Sequence, residues 1–304
     1  MRERLKSRTL YNQRYLLLMS VPFVIWLIVF KYIPLAGWIM AFQDFKPHLG
    51  FFNQPWVGFK HFRDLFQSAN FYLALQNTLA MGIIGLVLGT FSALGFAVLI
   101  NELRFVPFKR FTQTVSYLPH FVSWVVTANI VTSMLSLSGP VNELLIRLRI
   151  VSDPVNFMIK PEYFWWLVAI ADVWKEMGWN AIIYLAAMTG IDSQIYEAAE
   201  IDGTNRFQKI WYITLPGISS TIFILLILNI GNLINIGFEK QFLLGNAVTA
   251  TKALVLDKYA LDFGIGLFRY SFGTAIGIFK SVVSIILLLL ANFLVRRSGK
   301  GRLI

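Results

Sequence analysis

Long apolar segments alternate with short polar ones along the whole chain. Six segments come close to or exceed the roughly 20 residues that an apolar α-helix needs to cross a bilayer. They cover about 15–41, 78–100, 117–135, 163–188, 218–238 and 274–295. The pattern predicts an all-α integral membrane protein with six transmembrane helices. The first segment is longer than the apolar part of a signal peptide and has no Ala-x-Ala site after it, so we expect it to remain as an anchor.

The distribution of lysine and arginine predicts how these helices are oriented, because cytoplasmic flanks carry an excess of basic residues. Basic residues crowd both ends of the chain: Arg2, Arg4, Lys6, Arg8 and Arg14 at one end, and Arg296, Arg297, Lys300 and Arg302 at the other. We therefore predict basic cytoplasmic termini at 1–14 and 297–304. Between them lie the first span at 15–41, an extracytoplasmic loop at 42–73 and a core of five spans at 74–296.

Composition supports a membrane protein and excludes several other classes. Hydrophobic residues make up 57% of the chain and charged residues 14%, whereas soluble domains carry about 25% charged residues. Mean hydropathy is +0.63. The net charge of +11 is spread over the ends of apolar segments, which argues against a nucleic-acid-binding surface. The chain has no cysteine, and His48, His61 and His120 lie far apart, so no metal site is predicted.

The stretch 191–217, between the fourth and fifth apolar segments, has the most distinctive pattern. Glu197 and Glu200 are expected in an early turn of a short helix, where carboxylates favour the positive end of the helix dipole. Gly203 can adopt positive φ and end that helix. A second helix has one apolar face, formed by residues at i, i+3 and i+4: Phe207, Ile210 and Trp211. Pro216 then ends the pattern, which leaves a compact helical knob on the predicted cytoplasmic side.

This stretch resembles the signature of the permeases of binding-protein-dependent ABC importers, which is Glu-Ala-Ala, then Asp-Gly, then a hydrophobic residue and Leu-Pro. The matching residues are Glu197, Ala198, Ala199, Asp202, Gly203, Ile213, Leu215 and Pro216. The chain departs from the pattern at Thr204, where alanine is usual, and lacks a second proline after Pro216. Further stretches look like the oligosaccharide-uptake branch, which includes permeases for uronide oligosaccharides: 30–34, 56–62, 117–121, 155–158, 174–175, 237–239 and 291–294.

The resemblance implies a fold, a location and partners. The fold is that of a type I ABC importer permease, with a coupling helix between spans four and five, in a bacterial inner (cytoplasmic) membrane. The implied partners are a second homologous permease, two ATP-binding-cassette ATPase subunits and an extracytoplasmic sugar-binding protein that delivers an oligosaccharide. The residues implied to dock on the ATPase are Glu197, Ala198, Ala199, Asp202, Gly203, Phe207, Ile210, Trp211, Leu215 and Pro216.

No phosphate-binding loop occurs in the sequence. The nearest lookalike, at 298–301, lacks the first glycine of that motif and the hydroxyl residue after its lysine. We therefore expect no cofactor and no catalysis on this chain, with ATP and Mg²⁺ held by the partner ATPase.

Polar residues inside the predicted spans are candidates for a translocation path, because ionisable groups within a bilayer face a bundle interior or a water-filled cavity. They are Asn129, Asp172, Trp174, Lys175, Glu176, Asn180, Asn229, Asn232, Asn235 and Glu239. We expect Lys175 to neutralise Asp172 at i−3, and the last four of these residues to share one side of a single helix. The same residues fit plain interhelical hydrogen bonding. Two Gly-x-x-x-Gly spacings predict close helix packing: Gly85 with Gly89, and Gly273 with Gly277.

Other functions are open at this level. A six-span secondary carrier could use Asp172, Lys175 and Glu176 for ion coupling. An intramembrane enzyme would need a catalytic set such as His-Glu-x-x-His or paired aspartates within the spans, and neither occurs. Basic residues in the predicted outer segments favour acidic sugars slightly: Lys46, Lys60, Arg63, Lys240, Lys252, Lys258 and Arg269.

Overall fold

The computed structural model describes residues 13–51 and 53–297. Within these ranges the chain is helical, apart from connecting loops and one antiparallel bridge between Gln43 and Trp56. Long runs of leucine, isoleucine, alanine and phenylalanine form helices here because a helix satisfies its backbone hydrogen bonds within the segment itself. The all-α prediction is confirmed. The predicted basic termini lie almost entirely outside the described residues.

Fourteen helices are labelled in chain order. They are α1 (Arg14–Phe42), α2 (Lys60–Gln67), α3 (Ala69–Asn101), α4 (Val106–Tyr117), α5 (Trp124–Met134), α6 (Pro140–Arg147), α7 (Phe164–Thr189), α8 (Ser193–Ile201), α9 (Arg206–Gly217), α10 (Ser219–Gly231), α11 (Glu239–Leu244), α12 (Ala250–Ala253), α13 (Leu256–Tyr259) and α14 (Tyr270–Arg297). Short 3₁₀ turns cover Leu118–Phe121, Phe157–Ile159 and Pro161–Tyr163, and a π-helical turn covers Ala260–Gly266.

The described chain divides into two units, of which the first contains α1, α2 and residues 263–278. Helix α1 changes to π-helical turns at Ile28–Tyr32 and to 3₁₀ turns at Ile33–Phe42. Pro34 has no N–H to donate, so the α-helical hydrogen-bond pattern cannot run through it. At the end of α1, Phe42 packs against an aromatic cluster whose members are Trp56, Phe59 and Phe62.

The second unit holds α3–α13 and the remainder of α14, and its centre is the pairing of α3 with α7. Small side chains at the contact allow these two helices to approach closely. Ala93, Ala97 and Ala181 are at most 1% exposed. At one end of the pair, Phe164 and Val168 of α7 pack with other buried apolar residues. This packing positions the cavity that is described below.

A glycine at the crossing of α4 and α7 gives the first testable prediction. A Cβ atom at Gly178 would lie 2.1 Å from the backbone oxygen of Ser116, whereas one at Gly95 meets no described atom within 4 Å. Gly178→Ala must therefore push two helices apart, which costs about 1–3 kcal/mol. We expect a lower apparent unfolding temperature in detergent for Gly178→Ala and an unchanged or higher one for Gly95→Ala. Equal stability of the two variants would contradict this packing.

Most of the glycines that the sequence predicted to pack closely against another helix do not do so in the described structure. Added Cβ atoms at Gly85, Gly89 and Gly277 would meet no described atom within 4 Å, so the prediction is wrong for these three. Gly85 and Gly89 instead border a cavity. The approach expected of Gly273 does occur, because a Cβ on Gly264 would lie 2.8 Å from its Cα.

Several predicted span boundaries need correction. Helix α3 begins at Ala69 rather than near residue 78, and the predicted outer loop at 42–73 contains all of α2 and the start of α3. The predicted third span is broken between the 3₁₀ turn at Leu118–Phe121 and α5, because Val122 is extended. The predicted fifth span ends at Gly231, well before residue 238.

The described helices support part of the predicted span count. Helices α1, α3 and α14 are long and apolar enough to cross a membrane, and α9 with α10, bent by 62° between them, gives a fourth if the two form one span. Helix α7 has 26 residues, about 39 Å at a rise of 1.5 Å per residue. It carries three ionisable residues in its middle: Asp172, Lys175 and Glu176. The count of six spans stays a prediction.

Candidate functional site

The segment 191–217, called here the α8–α9 loop, is a helical hairpin with a sharp corner. Helix α8 begins where the Asp192 carboxylate accepts a hydrogen bond from the Gln194 N–H at 3.0 Å. The corner lies at Gly203, whose φ is +75°. The N–H groups of Gly203 and Thr204 donate to the Glu200 and Ala199 carbonyl oxygens at 3.1 and 3.0 Å. This satisfies backbone groups at the end of α8, and the prediction that Gly203 adopts positive φ and ends the first helix is confirmed.

The expected position of the acidic residues in α8 was wrong. Because Asp192 caps the helix, Glu197 lies in its middle and Glu200 in its last turn, where the helix dipole disfavours a carboxylate. A lysine compensates for this, since Lys209 Nζ lies 2.5 Å from Glu200 Oε1. The hydrogen bond from Lys209 and its positive charge hold the pKa of Glu200 below its ordinary value.

Helix α9 is fixed at its start and against α8. Asn205 and Gln208 form a capping box, each side chain accepting a hydrogen bond from the other residue's N–H, at 2.9 and 2.7 Å. The Tyr196 hydroxyl lies 2.9 Å from the Thr214 hydroxyl, which joins the two helices. Ala199 is the buried residue of α8. The hairpin therefore has a defined shape.

Large apolar side chains are exposed on this hairpin. Ile201 is 88% exposed, Phe207 76% and Trp211 67%, and Ile210 is partly exposed. Large exposed apolar side chains are typical of interaction surfaces. The α8–α9 loop thus combines a fixed turn with exposed apolar residues.

A second feature is a cavity of about 270 Å³ between α3, α7, α10 and α11, which has several charged and amide residues on a largely apolar wall. Five of the residues predicted for the translocation path border it: Asp172, Glu176, Asn180, Asn229 and Asn232. Lys240 of α11 borders it as well. The rest of the described wall is largely apolar, with Tyr184 and Thr90 as further polar members.

The charges around this cavity pair differently from the prediction. Asp172 Oδ1 lies 2.9 Å from Lys240 Nζ, and Lys175 Nζ lies 3.2 Å from Glu176 Oε1. Lys175 also donates to the His120 carbonyl oxygen at 2.6 Å, so its side chain is drawn toward the 3₁₀ turn and not toward Asp172. Burial of a charge is costly unless it is paired, and each of these charges has a partner.

His120 is the member of this network that sequence reasoning missed. Its ring stacks on Trp179 with centroids 4.3 Å apart and an interplanar angle of 2°. Its Nδ1 lies 2.7 Å from Glu176 Oε2, within hydrogen-bonding distance. The turn that holds His120 contains Pro119, but no spacing in the sequence connects it with α7.

Four other predicted path residues lie away from the cavity. Asn129 borders a separate groove beside α5 and α6. Trp174 borders an apolar cavity of about 510 Å³. Asn235 follows the end of α10 in a loop and donates to Ser284 Oγ at 2.8 Å. Glu239 begins α11, so the single helix expected to carry all four residues of this region does not exist.

Several of the basic residues expected on an outer surface contact other described residues. Lys240 faces the cavity, Lys252 lies over the Trp165 ring at 4.3 Å, and Lys258 forms an ion pair with Asp262. Lys46 lies 3.9 Å from Asp44. Within 13–51 and 53–297, no group of three histidine, aspartate or glutamate residues could hold a metal ion.

The described structure thus combines membrane-length apolar helices with a cavity whose charged residues are paired. The family described as "Binding-protein-dependent transport system inner membrane component" matches residues 85–300. A curated relative, the polygalacturonan/rhamnogalacturonan transport system permease protein YteP of Bacillus subtilis (strain 168), is 41% identical over 292 residues, which cover 96% of this chain and 90% of the relative.

Solved structures agree with this match. The crystal structure of a bacterial ABC transporter involved in the import of the acidic polysaccharide alginate contains a chain with a TM-score of 0.86 and 38% identity, covering 97% of this chain and 99% of that one. A second structure, of an alginate ABC transporter in complex with alginate pentasaccharide-bound periplasmic protein, gives 0.85 and 37%, with the same coverage. The chain belongs to the family of binding-protein-dependent transport system inner membrane components, the permease subunits of ABC importers. It is a transport subunit and not an enzyme.

Proposed function

We propose that this chain forms part of the transmembrane path of an ABC importer for an oligosaccharide. The sugar is delivered by an extracytoplasmic binding protein, and a second homologous permease completes the path as a heterodimer. Support comes from the relatives, whose names specify polygalacturonan, rhamnogalacturonan and alginate, and from a periplasmic protein bound in one related structure. Both termini lie in the cytoplasm in this proposal, since basic residues flank the first and last spans.

The α8–α9 loop is the proposed contact with the ATPase, and it is the observation that carries the proposal. The exposed apolar residues Phe207 and Trp211 supply buried contact area, Glu197 pairs with a basic residue of the ATPase, and Gly203 sets the angle between the two helices. Ala198, Ala199, Asp202, Ile210, Leu215 and Pro216 complete the proposed docking set. ATP and Mg²⁺ are held by the two ATPase subunits, whose closure moves the loop and with it the spans.

The candidate path follows the cavity, where Asn180, Asn229 and Asn232 offer amide groups to sugar hydroxyls. Amides both donate and accept hydrogen bonds, so they suit a polyhydroxylated ligand that must leave water. Asp172 and Glu176 are already paired within the protein.

A reconstitution experiment tests this function. Proteoliposomes that contain this chain, its sister permease and the ATPase are expected to import an oligosaccharide only when ATP and the binding protein are both present. Ionophores that collapse ion gradients are the control and are expected to change nothing. Uptake that needs an ion gradient and no ATP would contradict the proposal in favour of the secondary carrier.

A further inference from the structure

The two carboxylates on the cavity wall differ in the number of charged or histidine partners that they have. Among the described residues that border the cavity, Lys240 is the one cation, and Asp172 and Glu176 are the carboxylates. Glu176 is held by Lys175 at 3.2 Å and by His120 at 2.7 Å, neither of which borders the cavity. Asp172 is paired with Lys240 at 2.9 Å. A ligand that engaged Lys240 would therefore change the pairing of Asp172 and leave Glu176 as it is.

Lys240 is suited to exchanging one carboxylate for another. Its ammonium group has three rotatable donors on a flexible stem and no fixed pairing geometry. The Lys240 side chain is 17% exposed and that of Asp172 is 29% exposed, so both reach the cavity. Lys240 Nζ also lies 5.7 Å from the centroid of the Trp124 ring, a cation–π contact that does not depend on Asp172. Lys240 therefore keeps one attraction to the wall while it changes partner.

A negatively charged sugar needs such a cation, and a neutral one does not. The amides and apolar side chains of the wall can accommodate hydroxyls and ring faces. A carboxylate within the membrane is costly unless a positive charge pairs with it. The described wall offers that charge at Lys240.

We propose that Lys240 is a specificity-determining residue for acidic oligosaccharides, at which the carboxylate of a uronic acid unit in transit replaces Asp172. This inference rests on the oligosaccharide-permease function proposed above. Asp172 holds the ammonium group when the cavity contains no sugar, and it is left to cavity water while the uronic acid passes. The exchange moves one ion-pair contact and needs no proton transfer.

A double-mutant cycle in the reconstituted importer tests the exchange, with an oligogalacturonide and an alginate pentasaccharide as probes. Lys240→Met is expected to raise the KM for import of the probe that the wild type transports by at least about tenfold, and Lys240→Arg to restore most of the loss. The decisive variant is Lys240→Met with Asp172→Asn, which removes both charges of the pair. It is expected to regain only the part of the loss that repulsion by the unpaired Asp172 carboxylate adds, and to keep a KM well above that of the wild type because the uronic acid still lacks its cation.

A matched lysine controls for the loss of one positive charge. Lys160 is exposed and lies over the Tyr163 ring at 5.4 Å, away from the cavity. Lys160→Met is expected to keep the wild-type KM.

The outcomes separate this inference from the function on which it rests. Recovery of the wild-type KM in the double variant would overturn the inference, since the uronic acid would then need no cation at this position. Import of a neutral oligosaccharide but of neither uronic probe by the wild type would also overturn it, while the importer function stands. Import that needs no ATP or binding protein would instead remove the proposed function itself.

Discussion

Replacing Ala198 by aspartate is expected to leave the permease folded and inserted but to lower ATP-driven uptake by at least about tenfold. Ala198 is exposed on α8, so a larger side chain disturbs no packing within the subunit. In the proposed complex the same residue lies against the ATPase, where a buried, unpaired charge costs about 2–5 kcal/mol. Each 1.4 kcal/mol corresponds to about a tenfold change in an equilibrium constant. Co-purification with the ATPase and uptake into proteoliposomes measure the effect.

The control for this variant is a charge added elsewhere. Ser152 is exposed, in the segment predicted to lie on the opposite side of the membrane, and Ser152→Asp is expected to behave as the wild type. If Ala198→Asp bound the ATPase and imported sugar as well as Ser152→Asp does, the α8–α9 loop would not be the docking element.

A substitution at Gly203 tests whether the shape of the hairpin matters for coupled uptake, just as Ala198→Asp tests its surface. Its φ is +75° and its N–H donates to the Glu200 carbonyl, whereas proline fixes φ near −65° and has no N–H. Gly203→Pro is expected to abolish coupled uptake, and Gly203→Asn to keep most of it, because asparagine tolerates positive φ.

Replacing Lys280 by methionine is expected to cause the largest loss of stability among these variants, about 3–5 kcal/mol. Lys280 of α14 is 8% exposed and forms an ion pair with Asp257 of α13. The other carboxylate oxygen of Asp257 accepts a hydrogen bond from the Gly237 N–H at 3.1 Å. The Asp257 carboxylate of α13 therefore contacts both α14 and the loop that precedes α11. Removing Lys280 leaves this carboxylate without its ion-pair partner at a partly buried position.

A second substitution shows whether the loss of stability comes from the missing contact or from the unpaired charge of Asp257. Lys280→Met combined with Asp257→Asn is expected to recover much of the stability, since neither group is then charged and the asparagine oxygen can still accept from Gly237. Lys258→Met is the control, because its partner Asp262 has a side chain that is 38% exposed. The measurement is the apparent unfolding temperature in detergent. A Lys280→Met variant as stable as Lys258→Met would show that the Asp257 pair contributes little.

The α8–α9 loop shows which structural features local sequence rules can predict and which they cannot. The corner at Gly203 could be predicted because only glycine adopts positive φ without strain, and the exposed face with Phe207 and Trp211 follows from helical spacing. The start of α8 was misplaced because Asp192, not Glu197, marks the beginning of the helix. A helix cap depends on a single hydrogen bond between one side chain and one backbone N–H. It is therefore harder to recognise in a sequence than a glycine at a corner.

Local sequence patterns were enough to identify a helical membrane permease of the binding-protein-dependent family, because apolar run length and the Glu-Ala-Ala signature are properties of neighbouring residues. Which polar groups meet depends on how the helices pack in three dimensions. His120 reaches Glu176 across 56 residues, and Lys240 reaches Asp172 from a different helix. Helical periodicity relates residues on one helix but says nothing about which faces of different helices pack together. A long lysine side chain pairs with whichever carboxylate that packing brings within its reach.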